Sequence, residues 1–228
     1  MKLRMCIAMI FLVILVPVVR ANTVTVVSIK GYAEVRRGMS ERWIMLHVGD
    51  VLKPEDTIRT GEDAEVTLKV GLSMFSLPSF AILDVGDIRH LGRNDLLLKL
   101  AMEEIRGLPD SRPSTGNATP TVMHGRSRGS SSSYPVTYSE IGIMRLEGAR
   151  ALFRHKYYET TILTVKSTLH RYGLRNPLAA RRLVARAFER LGLVQQAIDE
   201  YLGCLSLELS RAEKNDIQRN IRRLEKQL

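Results

Sequence analysis

The chain has 228 residues, of which 45% are hydrophobic and 25% charged. That length suits one large or two small domains, and that composition excludes a wholly disordered, collagen-like or multi-span membrane chain. Its 34 basic and 24 acidic side chains give a formal charge of +10, and its two cysteines are too few for a disulfide scaffold or a four-thiolate zinc site.

The first element is an address. Lys2 and Arg4 precede an apolar run from Met5 to Val19, and Val19-Arg20-Ala21 places small residues where a signal peptidase reads them. Residues 1–21 are therefore expected to be a secretory signal peptide cleaved after Ala21, because the run is short of the roughly 20 residues of a spanning helix. Cleavage leaves Cys204 as the one thiol. The expected location is outside the cytoplasm, in the periplasm.

Residues 22–104 read as an antiparallel all-β domain, with short β-like runs broken by Gly, Asp or Pro. In Ala64–Val70, Ala, Val, Leu and Val alternate with Glu, Thr and Lys, which gives one buried and one solvated face. Val24 to Ile29 is a second strand. Further candidates are Trp43 to Leu46, Thr57 to Thr60, Leu72 to Leu77, Phe80 to Val85 and Leu96 to Leu100. Turn signals stand at Gly49-Asp50, Gly61-Glu62-Asp63, Gly86-Asp87 and Gly92-Arg93-Asn94-Asp95.

Residues 105–137 carry prolines, glycines and the serine run Ser130 to Ser133, with Val122-Met123 as the one apolar pair. This composition buries too little to offset ordering entropy and reads as a flexible linker.

From 138 to 228 the apolar period turns helical. Ile143, Leu146, Ala149 and Phe153 form one stripe, and Leu183, Ala187 and Leu191 another. Asn176-Pro177 marks a helix start, and Leu191-Gly192 an end with glycine as the left-handed cap. Ser210 and Glu213 have capping-box spacing ahead of the stripe Ile217, Ile221, Leu224 and Leu228.

Leu183 to Gly192, with Ala185 and Phe188, followed by Ala197, Tyr201 and Cys204, resembles a tetratricopeptide repeat. Gly148 to Phe153, with Tyr157-Tyr158 and Thr161-Ile162, aligns with it as a second copy, Ala151 falling 36 residues before Ala187. The usual period is about 34 residues. The β-region resembles the FecR-type periplasmic domain. The likeness rests on Gly31 to Val35, Trp43, Leu46 to Leu52, Asp56-Thr-Ile-Arg-Thr-Gly61, Ala64 to Leu68 and Gly71. These resemblances imply a multi-domain β-then-α chain: an antiparallel all-β FecR-like domain, then tetratricopeptide-like helical hairpins that present a concave binding groove.

Residues 22–104 hold 10 basic and 13 acidic side chains, whereas the rest of the mature chain holds 21 and 11. The basic character is C-terminal, with Arg181, Arg182, Arg186 and Arg190 on one helix and Arg219, Arg222, Arg223 and Lys226 on the last. A solvated helix face accounts for such arginines. A surface for an anionic partner, whether acidic protein, lipid head groups or cell-wall polymer, is the sharper reading. Export disfavours nucleic acid.

Catalytic signatures do not stand out. His47, His90, His124, His155 and His170 lack metal-ligand spacing, no Gly-x-Ser-x-Gly elbow supports a serine nucleophile, and no phosphate-cradling loop occurs. No catalytic, metal or cofactor residue is therefore assigned. The expected function is a non-catalytic interaction scaffold of the cell envelope. Its partner-binding residues are expected to be Tyr157, Tyr158, Arg182, Arg186 and Glu189 in the groove, with Trp43 and Tyr32 on the β-domain. The alternatives are a FecR-like regulator working with a separate membrane partner, and an envelope polymer-binding enzyme or accessory subunit.

Overall fold

The computed structural model describes residues 23–107, 137–172 and 174–228. Within these residues an antiparallel β-region is followed by six helices. The strands are β1 (Val24–Lys30), β2 (Ala33–Arg36), β3 (Trp43–Met45), β4 (Val51–Leu52), β5 (Thr57–Thr60), β6 (Glu65–Val70), β7 (Ser73–Leu77) and β8 (Ile82–Asp84). They form two four-stranded sheets of order β4-β1-β6-β7 and β3-β2-β5-β8, with every pairing antiparallel.

The two sheets share one core. Val66, Leu68 and Val70 enter it from β6, Val24 and Val26 from β1, Val35 from β2, Ile58 from β5 and Leu83 from β8. The run Asp56-Thr-Ile-Arg-Thr-Gly61 is shaped by this packing residue by residue. Asp56 is buried and accepts hydrogen bonds from the backbone N–H groups of Lys53 and Gly38 and from Arg37. Burial pushes its carboxyl up, but these donors outweigh it and hold the pKa below the ordinary value. Ile58 fills the core, Arg59 projects from the opposite face, and the Thr60 hydroxyl donates to the Pro78 carbonyl while accepting from the Ala81 N–H.

A 3-10 turn at Val85–Asp87 leads to the helices α1 (Arg93–Gly107), α2 (Tyr138–Arg154), α3 (Tyr158–Tyr172), α4 (Leu178–Arg190), α5 (Val194–Leu205) and α6 (Arg211–Glu225). Residues 96–100 are thus helical, not a strand. Leucine is a strong helix former, and a continuous apolar run carries no period that separates strand from buried helix. Leu96 is fully buried in the helical core. The linker reading of 105–137 begins inside α1, ends at the Thr137 cap of α2, and otherwise falls with Val122-Met123 and the signal-peptide reading outside the described residues.

Helices α2 to α6 pack in sequence, each on the next. Capping boxes start α2 (Thr137 with Glu140) and α6 (Ser210 with Glu213). The turns inside the α2–α3 and α4–α5 hairpins repeat bond for bond at 36 residues: the Tyr157 N–H donates to Leu152 O as the Leu193 N–H donates to Phe188 O.

The described parts of the β and α halves pack directly on one another. Helix α2 lies on β8 so closely that a Cβ on Gly148 would stand 2.1 Å from the Ile82 carbonyl oxygen. Ala151, Leu152 and Tyr157 belong to the same apolar cluster as the sandwich core. Polar bonds join the same surfaces: Arg145 pairs with Asp84 at 3.0 Å, Thr164 donates to Asp87 at 2.9 Å, and the Ser76 N–H donates to His155 Nε2 at 3.0 Å. No helix among the described residues is long and apolar enough to cross a membrane.

Candidate functional site: an arginine groove and a sheet face

The amphipathic pattern of α4 buries Leu183, Val184, Ala187 and Phe188, and so turns Arg182, Arg186 and Arg190 away from the core. Helix α6 does the same with Ile217, Ile221 and Leu224, which leaves Asp216, Asn220 and Arg223 facing α4. Between these helices lies a groove of about 620 Å³. Two ion pairs cross it: Arg182 with Asp216 at 2.6 Å and Arg223 with Glu189 at 2.5 Å. Glu189 also accepts from the Tyr201 hydroxyl at 2.7 Å, and burial with that carboxylate nearby pushes the Tyr201 pKa well up. Tyr201 therefore serves as a neutral donor that orients Glu189, not as an acid or base.

Both acids of the groove are engaged, and two cations remain. Arg186 and Arg190 are exposed and have no ion-pair partner among the described residues. The Arg186 guanidinium lies over the Phe153 ring at 5.2 Å, which fixes its stem while its donors stay in solvent.

Of the partner-binding residues expected in the groove, Arg182, Arg186 and Glu189 line it together. Tyr158 packs edge-on against Phe153 at 5.2 Å, at the α2 side of Arg186. Tyr157 is elsewhere. It is buried between the two halves, with its ring 4.7 Å from that of His90 and 6.1 Å from that of Phe75. Its place directly after a helix turn, where a large side chain can cover the β-region, gives it a packing role. Arg190 and Arg223, which the sequence offers as part of a basic surface for an anionic partner, also line the groove, together with Asn220, which no sequence signal marks.

The second sheet turns a charged face outward. Register places Trp43 beside Arg36 and Thr57 in one row, and Met45 beside Glu34 and Arg59 in the next. Glu34 is 3% exposed and pairs with Arg59, whose Nε lies 2.9 Å from Glu34 Oε2, and it also accepts from the Tyr32 hydroxyl at 2.6 Å. Arg59 and Arg36 lie over the Trp43 ring at 4.5 and 5.5 Å. Trp43 and Tyr32 thus sit on one face and are linked through the Glu34–Arg59 pair. Both are half-buried. From the first row, Arg36 donates to Thr57, whose hydroxyl donates to Asp84, the partner of Arg145 on α2.

Among the described residues no group of three or more His, Cys, Asp or Glu side chains is placed to hold a metal ion. Burial pushes the Cys204 thiol up to about 11, as the inert sulfur of a packed position. Compared with known protein families, curated proteins and solved structures, the chain matches none of them.

Proposed function

We propose that this chain is a non-catalytic docking protein of the cell envelope, exported by its leader, in which tetratricopeptide-like hairpins hold an anionic segment of a partner protein and a FecR-like sandwich buttresses them. The observation that carries this reading is the α4–α6 groove. Its acids are already engaged by Arg182, Arg223 and Tyr201, while Arg186 and Arg190 project without an ion-pair partner among the described residues. A groove with this charge favours carboxylates, and guanidinium forks grip them in bidentate fashion. Because the halves share a core, docking here does not depend on a freely swinging domain. The sandwich acts instead as a fixed support, holding α2 in place beside the groove.

The test is titration of the full chain with a fluorescein-labelled oligoglutamate peptide, read by anisotropy. Binding is expected to weaken steeply between roughly 50 and 500 mM salt, as screening shortens the reach of exposed charge. It is also expected to be lost in Arg186→Glu/Arg190→Glu. Binding that ignores salt, or that survives in the double variant, removes the groove from the mechanism.

A further inference from the structure

A second cavity, of about 430 Å³, opens between the outer face of the β3-β2-β5-β8 sheet and the N-terminal turns of α2. Its lining combines Tyr32, Phe80 and Met144 with the Glu34–Arg59 pair. That pair is unusual for the outer face of a small sheet. Withdrawing two charges from water costs several kcal/mol, and apolar residues of similar size fill such a place at least as stably. A cleft whose apolar wall carries a few convergent polar groups is the usual form of a small-ligand site.

Glu34 and Arg59 neutralise one another, so the remaining charge in the lining decides the ligand. It comes from exposed Glu62 and Asp63 and from Glu140. Glu140 uses Oε2 to cap Thr137. Among the described residues Arg59 is the one basic side chain in the lining, and its Nε and one Nη already serve Glu34. Carboxylates accept hydrogen bonds and donate none, and each oxygen has more than one acceptor position. An ammonium group is their complement, with three donors and no acceptor. The lining also carries the Phe80 ring and the Met144 thioether; an aromatic face attracts a cation, and a thioether suits contact with an aliphatic stem.

We propose that this cleft binds a primary ammonium carried on an aliphatic stem, either a free aliphatic amine or the side chain of a lysine. The site lies on the sandwich side of α2 and involves no residue of the arginine groove, so either assignment stands if the other fails.

Trp43 is the one tryptophan of the chain and lies 4.5 Å from Arg59, so its fluorescence reports on the floor of the cleft. The full chain would be titrated with 1,5-diaminopentane, with Nα-acetyl-lysine methylamide, and with 1-pentanol as a neutral match. A saturable change with an amine and none with pentanol is expected, weakened roughly tenfold or more in Glu62→Gln/Asp63→Asn. Both substituted side chains are exposed, and an unchanged melting curve verifies that the fold is kept. Tighter binding of the diamine identifies free amines as the source, and tighter binding of the lysine derivative identifies a protein side chain. No saturable change with either amine, an equal response to pentanol, or undiminished binding by the double variant overturns the proposal.

Discussion

Lys156 and Gly192 hold the same backbone conformation at equivalent points of two helix hairpins, with φ of +67° and +69°. Each N–H donates three residues back, Lys156 to Phe153 O and Gly192 to Glu189 O, and each is followed by the five-residue bond to Leu152 O or Phe188 O. Glycine takes this left-handed region without strain, whereas an L side chain costs about 1 kcal/mol or more there. Lys156→Gly is therefore expected to stabilise the chain by roughly 0.5–1 kcal/mol, after the greater freedom of glycine in the unfolded state is offset. Gly192→Val is expected to destabilise it by about 1 kcal/mol or more. A Cβ at Gly192 meets nothing within 4 Å, so the second effect is one of backbone alone. Urea midpoints that move in opposite directions for the two variants check this. Equal midpoints would mean that neither turn is strained by its residue.

Gly148 tests the join between the halves. Its missing side chain lets α2 meet the Ile82 carbonyl, which is backbone and cannot swing aside. Gly148→Ala is expected to push α2 from β8 and to destabilise by about 2 kcal/mol, the range of an overpacked core. The loss should come with faster hydrogen exchange in Ile82–Asp84, because the groups beneath α2 become exposed. A variant as stable and as protected as the parent would show that the halves are not tightly packed there.

What the sequence revealed depended on how many faces each element buries. Strand β6 was legible because Val66, Leu68 and Val70 enter the core while Lys69 meets solvent. Strand β2 was not picked out, because Ala33-Glu34-Val35-Arg36 alternates over four residues only, and its polar Glu34 is buried by the pair with Arg59 instead of meeting solvent. Helix α2 shows the same effect in another form. The stripe through Leu146 and Ala149 is buried, but Ile143 of that stripe is 44% exposed while Met144 beside it is buried. The β-region supplies a second covered side that no helical period announces. In the candidate groove, Arg182, Arg186 and Glu189 were legible because they lie on the unburied side of one helix. Tyr157 was not, because its covering partners Phe75 and His90 are more than 60 residues away in sequence.

Asp87 should give this junction a measurable pH dependence. Burial first, and then repulsion from Asp84, push its carboxyl up to about 6, against the help of the Thr164 hydroxyl, Arg145 and Arg89. The folded state thus holds the proton more tightly than the unfolded chain, whose carboxyl titrates near 4. The stability contributed by protonated Asp87 is fully present below about pH 4 and is lost as pH rises through about 6. Asp84 and Asp56, both lowered, act with the opposite sign at acid pH. The difference between the parent and Asp87→Asn isolates the effect. Asparagine still accepts from Thr164 and carries no charge, so the variant is expected to be more stable above pH 6.5 by on the order of 1–3 kcal/mol, with the gap closing towards pH 4. A gap that does not change with pH would place Asp87 in contact with water.

The Glu34–Arg59 pair separates two kinds of loss. Glu34→Leu alone leaves the Arg59 guanidinium nearly buried, with its side chain 11% exposed, beneath Trp43 and without its carboxylate. Breaking a buried pair in this way costs about 3–5 kcal/mol. Glu34→Leu/Arg59→Met removes both charges and keeps the volume, and is expected to recover most of that loss, because desolvation offsets much of the attraction within the pair. A double-mutant cycle by urea denaturation yields the coupling directly. Strict additivity of the two single losses would show that water reaches both groups, and that the outer face of the sheet is less enclosed than the contacts of Glu34 with Tyr32 and Arg59 require.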